Sequence, residues 1–159
     1  MRKGIFVGSF NPFTIGHDNI VRRAVGLFDR LIIGVVGDNV QKPGLPSAAQ
    51  RVADIARLYD DDPRIEVYTY NGLAVDFARQ QGARYIVKGV RSVKDYEYER
   101  EMAEANNLIS GGEVETLLLM AEPHLAVVSS SLVRELMHFG RDVTEFLPVK
   151  TNKIIPATT

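Results

Sequence analysis

The chain has 159 residues with 19 Lys and Arg against 20 Asp and Glu, a formal charge of −1 that removes any electrostatic case for nucleic acid or an anionic membrane as partner. Hydrophobic residues make up 45% and charged residues 25%, ordinary globular usage that excludes fibrous and disordered classes. Without a single cysteine, disulfides, thiolate zinc sites and cysteine nucleophiles are excluded together and a cytoplasmic setting is expected, while the apolar run Ile5 to Val7 is too brief for a signal peptide or a membrane span.

Lys3 to Gly8 reads as a first strand and Leu31 to Gly37 as a second, the latter so continuously apolar that both its faces should be buried. Between them Ile20, Val21, Ala24, Val25, Leu27 and Phe28 recur at helical spacing, and Asp29 closes the segment. Asp38 to Pro46 has the composition of a loop. Ser47 with Gln50 predicts a capping box at the start of a helix running to about Tyr59. Asp60-Asp61-Asp62-Pro63 reads as a helix stop rather than a metal cluster, because adjacent acids on a turn point apart. Ile65 to Tyr70, Tyr85 to Lys88 and Glu115 to Met120 supply three more strands. Helices are expected over Leu73 to Gln81, ended by Gly82, and from a cap at Ser92 and Asp95 to about Ile109, with Tyr96, Tyr98 and Met102 as a packing face. Short helices at Ser131 to Phe139 and Asp142 to Phe146 close the domain, and 149–159 reads as a loose tail. The alternation predicts one α/β domain over 1–159, a doubly wound, Rossmann-like sheet of five parallel strands with helices on both faces.

In such a sheet ligands bind beyond the carboxyl ends of the strands. The loops there carry Ser9, Asn11, Thr14, His17, Lys42, Lys88, Arg91, Lys94 and the Ser129-Ser130-Ser131 run, a set suited to a phosphorylated ligand. The first of them, GSFNPFTIGH from Gly8 to His17, leads into a helix N-terminus, where free N–H groups favour an anion. It is neither a Walker A loop nor a G-x-G-x-x-G loop. His17 there fits a phosphate donor, and equally a residue that only caps the helix. His124 and His138 read as surface or packing residues, and no spacing suggests a tightly held metal.

GSFNPFTIGH together with VSSSLVRE, Val128 to Glu135, resembles the nucleotidylyltransferase superfamily and its T/H-x-G-H signature. Lys88-Gly89-Val90-Arg91 and Asp95 to Glu99 extend the resemblance to the family of phosphopantetheine adenylyltransferases, from Met1 to about Pro148. The resemblance implies transfer of AMP from ATP to 4'-phosphopantetheine, giving dephospho-coenzyme A and pyrophosphate, with Mg2+ carried by ATP and a hexameric assembly. By the same resemblance His17, Lys42 and Lys88 are the catalytic group. ATP would meet Ser9, Phe10, His17, Gly89, Arg91, Glu99, Val128, Ser129, Ser130 and Ser131, and phosphopantetheine would meet Ser9, Lys42, Leu73, Ala74, Lys88, Asn106 and Glu135. Three positions depart from the family pattern: Gln41-Lys42 where two lysines are usual, Lys88 where arginine is usual, and Asn11 where aspartate is common. A phosphate monoester has its second pKa near 6, so the attacking oxygen is already largely ionised at neutral pH and no general base is required. Two alternatives stay open: another nucleotidylyltransferase of the superfamily, or a non-catalytic flavodoxin-like nucleotide-binding module.

Overall fold

The computed structural model describes residues 1–37 and 46–150. Five strands, β1 (Lys3–Gly8), β2 (Arg30–Val36), β3 (Ile65–Tyr70), β4 (Tyr85–Val90) and β5 (Glu115–Met120), form one all-parallel sheet in the order β3-β2-β1-β4-β5. The chain winds outward from β1 to β3, then returns across the sheet to β4. Helices α1 (Ile15–Ala24) and α2 (Ala48–Leu58) cover one face, where Ile20, Val21, Ala24 and Ile55 pack on Phe6, Leu31, Ile33, Val35 and Val87. Helix α3 (Ala74–Gln81) covers the other, packing Val75, Phe77 and Ala78 on Ile5, Val7, Ile32 and Ile86. The alternate residues of β1, β2 and β4 thus feed two separate cores, as the pleat requires. Each fully buried side chain among Ile5, Leu31, Ile32, Ile33 and Ile86 contributes about 1.5–3 kcal/mol relative to exposure.

The caps follow the sequence with local differences. Ser47 Oγ accepts the Gln50 N–H at 3.1 Å, but the returning arm of the expected box is missing because the Gln50 amide donates to Asp54 instead. Gly82 ends α3 in the left-handed region at φ +65°, a conformation in which a Cβ would be strained. Ser92 Oγ caps α4 (Val93–Ile109) by accepting the Asp95 N–H.

Five expectations are corrected. The first helix stops at Ala24 and continues as a 3-10 turn over Val25–Leu27, tightening around Gly26 before Asp29. Strand β4 runs two residues past Lys88, to Val90: Gly89 keeps the strand under α1, since a Cβ there would stand 3.2 Å from Ile20 Cγ1. Tyr96, Tyr98 and Met102 are exposed rather than packed within the chain, and α4 buries none of its 17 residues fully. The closing helix α5 is Ser130–His138, preceded by an unanticipated 3-10 turn at Pro123–Leu125, and the Asp142 to Phe146 segment shrinks to a 3-10 turn over Thr144–Phe146. The aspartates at the helix stop do point apart: Asp62 holds Arg64, and Asp60 pairs with Lys150. The expected loop over Asp38 to Pro46 and the tail fall almost wholly outside the described residues.

Gly34 in β2 is the tightest point between the sheet and α3, with Phe77 Cε1 2.6 Å and Val7 Cγ1 3.0 Å from where a Cβ would lie. Gly34→Ala is expected to destabilise the fold by about 1–3 kcal/mol, whereas Gly26→Ala, where a Cβ meets nothing within 4 Å, should lose none. Urea denaturation of the two variants beside the parent protein measures both.

Candidate active site

Strand β1 lies at the point where the winding reverses, with β2 on one side and β4 on the other. A cavity of about 350 Å³ opens at the carboxyl ends of β1, β4 and β5, between the first loop and the N-terminus of α5. It is the crevice that this topology leaves open for a ligand.

Thr14 and His17 build one corner. Thr14 is the N-cap of α1, and its backbone N–H donates to His17 Nδ1 at 3.0 Å while the His17 N–H returns a bond to Thr14 Oγ1 at 3.4 Å. A backbone N–H can only donate, so Nδ1 is an acceptor and the ring proton of the neutral imidazole sits on Nε2. Thr14 Oγ1, 3.2 Å from Nδ1, is then also a donor. Around the ring stand Phe13, stacked at 5.3 Å, Phe10, edge-on at 5.0 Å, and Phe6 at 6.3 Å. Removal from water by this aromatic wall, followed by the charges of Arg91 and then Lys88, lowers the His17 pKa from 6.5 to about 4. At neutral pH His17 is an uncharged Nε2–H donor, and Nε2 has no partner among the described residues. His17 both caps the helix and lines the cavity.

The opposite wall carries the cations, each already engaged. Lys88 Nζ lies 3.4 Å from Glu99 of α4, joining β4 to the helix that follows it. Arg91 donates twice to Asp95 Oδ2 at 3.1 Å, from its backbone N–H and from Nε. Arg134 of α5 donates to the Asn11 carbonyl at 2.6 Å and to Ser131 Oγ at 3.2 Å. With Glu122, held by the Asn19 amide at 3.1 Å, the lining has three cations and three carboxylates, so it is electrically balanced. The serine run is engaged as well: Ser129 Oγ accepts from Leu132 N–H as the cap of α5, and Ser130 Oγ donates to the Pro12 carbonyl at 2.7 Å. What α5 offers a ligand is therefore its first-turn N–H groups, which a helix leaves without acceptors of its own.

Ser9, Phe10, His17, Lys88, Gly89, Arg91, Glu99 and Val128 to Ser131 are brought together around this one cavity. Leu73, Ala74, Asn106 and Glu135 do not line it. Leu73 stands 52% exposed as the N-cap of α3, and Ala74 packs on the core beneath that helix. Asn106 is partly buried on α4, and Glu135 is exposed on α5. Lys42 lies outside the described residues. His124 and His138 are away from the cavity, the first 3.6 Å from Glu122 on the surface and the second against Phe139. Sequence reasoning assigned no ligand role to Asp95, Asn19, Glu122 or Arg134, all of which line the cavity. For Arg134 a signal was present, one helical turn beyond Ser130 and Ser131 within the same motif.

A family model described as cytidylyltransferase-like matches residues 5–136. Three curated relatives carry the name phosphopantetheine adenylyltransferase. The one from Porphyromonas gingivalis is 51% identical over 150 residues, covering 93% of this chain and 96% of its own length. That from Phocaeicola vulgatus is 47% identical over 148 residues, with the same coverage of both chains. The Alkaliphilus metalliredigens protein is 43% identical over 148 residues, 93% of each. Similarity at this level, continuous from β1 through α5 and including every wall of the cavity, establishes that the chain belongs to the cytidylyltransferase-like family and, within it, to the phosphopantetheine adenylyltransferases.

Proposed function

We infer that the chain transfers the adenylyl group of ATP to 4'-phosphopantetheine, releasing pyrophosphate and forming dephospho-coenzyme A, a step of coenzyme A biosynthesis. The observation that carries the reading is the neutral His17, its Nδ1 fixed by Thr14 and its Nε2–H unpaired, on the rim of one cavity with Lys88 and Arg91.

In the reaction a phosphate oxygen of the acceptor attacks the α-phosphorus of ATP, and the bond to the β-phosphate bridging oxygen breaks, its electron pair leaving with pyrophosphate. The acceptor oxygen is already ionised, so the protein's task is alignment and charge stabilisation rather than proton removal. His17 Nε2–H donates to a non-bridging α-phosphate oxygen as negative charge builds there. Lys88 leaves Glu99 for the acceptor phosphate, and Arg91 leaves Asp95 for the nucleotide, so each carboxylate holds its cation in place until phosphate replaces it. The first-turn N–H groups of α5 receive the triphosphate. We assign Lys42 to the acceptor phosphate, and Leu73, Ala74, Asn106 and Glu135 to the pantetheine arm, on family resemblance. Ser9 serves both substrates. Magnesium enters with ATP as part of the substrate, on family resemblance.

We further propose a hexamer, supported by the unburied α4, where Tyr98 is 62% and Leu108 81% exposed. A cytoplasmic setting is supported by the cysteine-free sequence. Among the described residues no helix is long and apolar enough to cross a membrane.

Pyrophosphate release from ATP and magnesium, with 4'-phosphopantetheine set beside glycerol phosphate, phosphocholine and nicotinamide mononucleotide, tests the reading. Turnover confined to another acceptor, or tight ATP binding with no turnover at all, would sink it. His17→Ala should fold and lose about 10²–10³ in kcat, the cost of removing one donor from a developing oxyanion; stopped-time pyrophosphate assays measure it. Titration of the His17 ring by NMR should give a midpoint near 4. The native state then takes up this proton less readily than the unfolded chain, so acidification from about 6.5 to 4 withdraws stability that is fully present above 6.5; urea midpoints across that range should fall further in the parent than in His17→Asn, where carboxylates such as Glu66 still titrate. Lys88→Met should raise the KM for phosphopantetheine about tenfold to a hundredfold, the cost of one charged hydrogen bond. Lys88→Arg should lower it, because a fork grips phosphate in two places.

A further inference from the structure

Arg51 lies in the first turns of α2, outside every motif of the sequence, and is only 8% exposed. A guanidinium is tolerated in such a place when its N–H groups meet acceptors. Among the described residues these reach three separate stretches of backbone. Nη1 donates to the Ser9 carbonyl at 2.5 Å and to the Val36 carbonyl at 3.2 Å, and Nε donates to the Pro46 carbonyl at 3.3 Å. Ser9 follows the end of β1 and lines the cavity, Val36 ends β2, and Pro46 precedes the cap of α2. One planar fork therefore holds the exits of two neighbouring strands against the entry of a helix.

The contact with Ser9 bears directly on the chemistry. The Ser9 carbonyl and the Phe10 nitrogen belong to one rigid peptide plane, so the direction of that carbonyl governs the φ angle of Phe10. Phe10 sits at φ +47°, a left-handed conformation that is strained for a residue with a Cβ and persists where the surroundings impose it. Its ring is 3% exposed and meets the His17 ring edge-on at 5.0 Å. A mechanical chain thus runs from the Arg51 fork through the Ser9–Phe10 peptide and the Phe10 ring to the imidazole.

We propose that Arg51 is a positioning residue for adenylyl transfer, holding the Ser9–Phe10 peptide so that Phe10 fixes the angle of the His17 donor. The inference rests on the adenylyl-transfer reading above. Arg51→Lys keeps the charge but cannot reach three carbonyls in one plane. In this variant kcat should fall about tenfold to a hundredfold, the scale of a small misplacement of a catalytic group, with the KM for ATP little changed. The ring-proton resonances of His17 should shift in the same protein. A folded variant with kcat within about twofold of the parent overturns the proposal. So does a loss of kcat that only tracks the unfolded fraction, or one that leaves the His17 resonances in place, since both describe a residue that merely supports the fold. Should Arg51→Lys not fold, Arg51→Gln, which keeps N–H donors without the charged fork, is held to the same readouts. Parent protein that releases no pyrophosphate with phosphopantetheine removes the underlying reading instead, a result separate from any of these.

Discussion

A ring nitrogen that accepts a bond from a backbone N–H cannot take up a proton without giving up that bond. In this fold the Thr14 amide imposes that condition on His17, and three phenylalanines deepen it by keeping water away. The outcome is an imidazole whose tautomer is fixed by the start of a helix and whose neutral state is fixed chiefly by removal from water, then by the charges of Arg91 and Lys88. A charged imidazolium would bind phosphate more strongly in every state, in the ground state as much as later. A neutral donor responds chiefly to charge that grows as the reaction proceeds, and it is in this difference that catalysis resides.

The balanced lining has a related logic. Lysine and arginine left bare in a half-buried crevice would repel one another. Glu99 and Asp95 remove that difficulty by holding Lys88 and Arg91 close to where phosphate groups are to arrive. In the proposed reaction phosphate replaces carboxylate as partner, an exchange of one anion for another that needs little reorganisation of the cations. The described lining sums to zero, so recognition by these residues depends on contact geometry.

Most of the sheet was legible because its strands are short β-rich stretches set between turn signals; β1, β3 and β5 have the bounds expected of them. Ends were lost where polar or small residues serve the site. The first turn of α1 reads Ile15-Gly16-His17-Asp18, which hides a helix, and Lys88-Gly89 looks like the start of a loop although the strand continues through it. The residues gathered around the cavity were legible for a related reason: they sit in contiguous stretches at strand exits. Pairings that join distant elements were not. Nothing in a linear reading brings Arg51 to Ser9 or Asn19 to Glu122, because those contacts depend on how α2 and β5 register against the first loop.

The glycine at position 89 has a bearing beyond strand continuity. Ile20, which rests over it, is one turn along α1 from His17 on the same rigid rod. A methyl group introduced beneath Ile20 would press on its Cγ1 and Cδ1 at 3.2 and 3.3 Å, and that side chain has to give by a few tenths of an ångström. The floor of the sheet and the mount of the imidazole are thus only one side chain apart, so packing on β4 and the seat of α1 are set together.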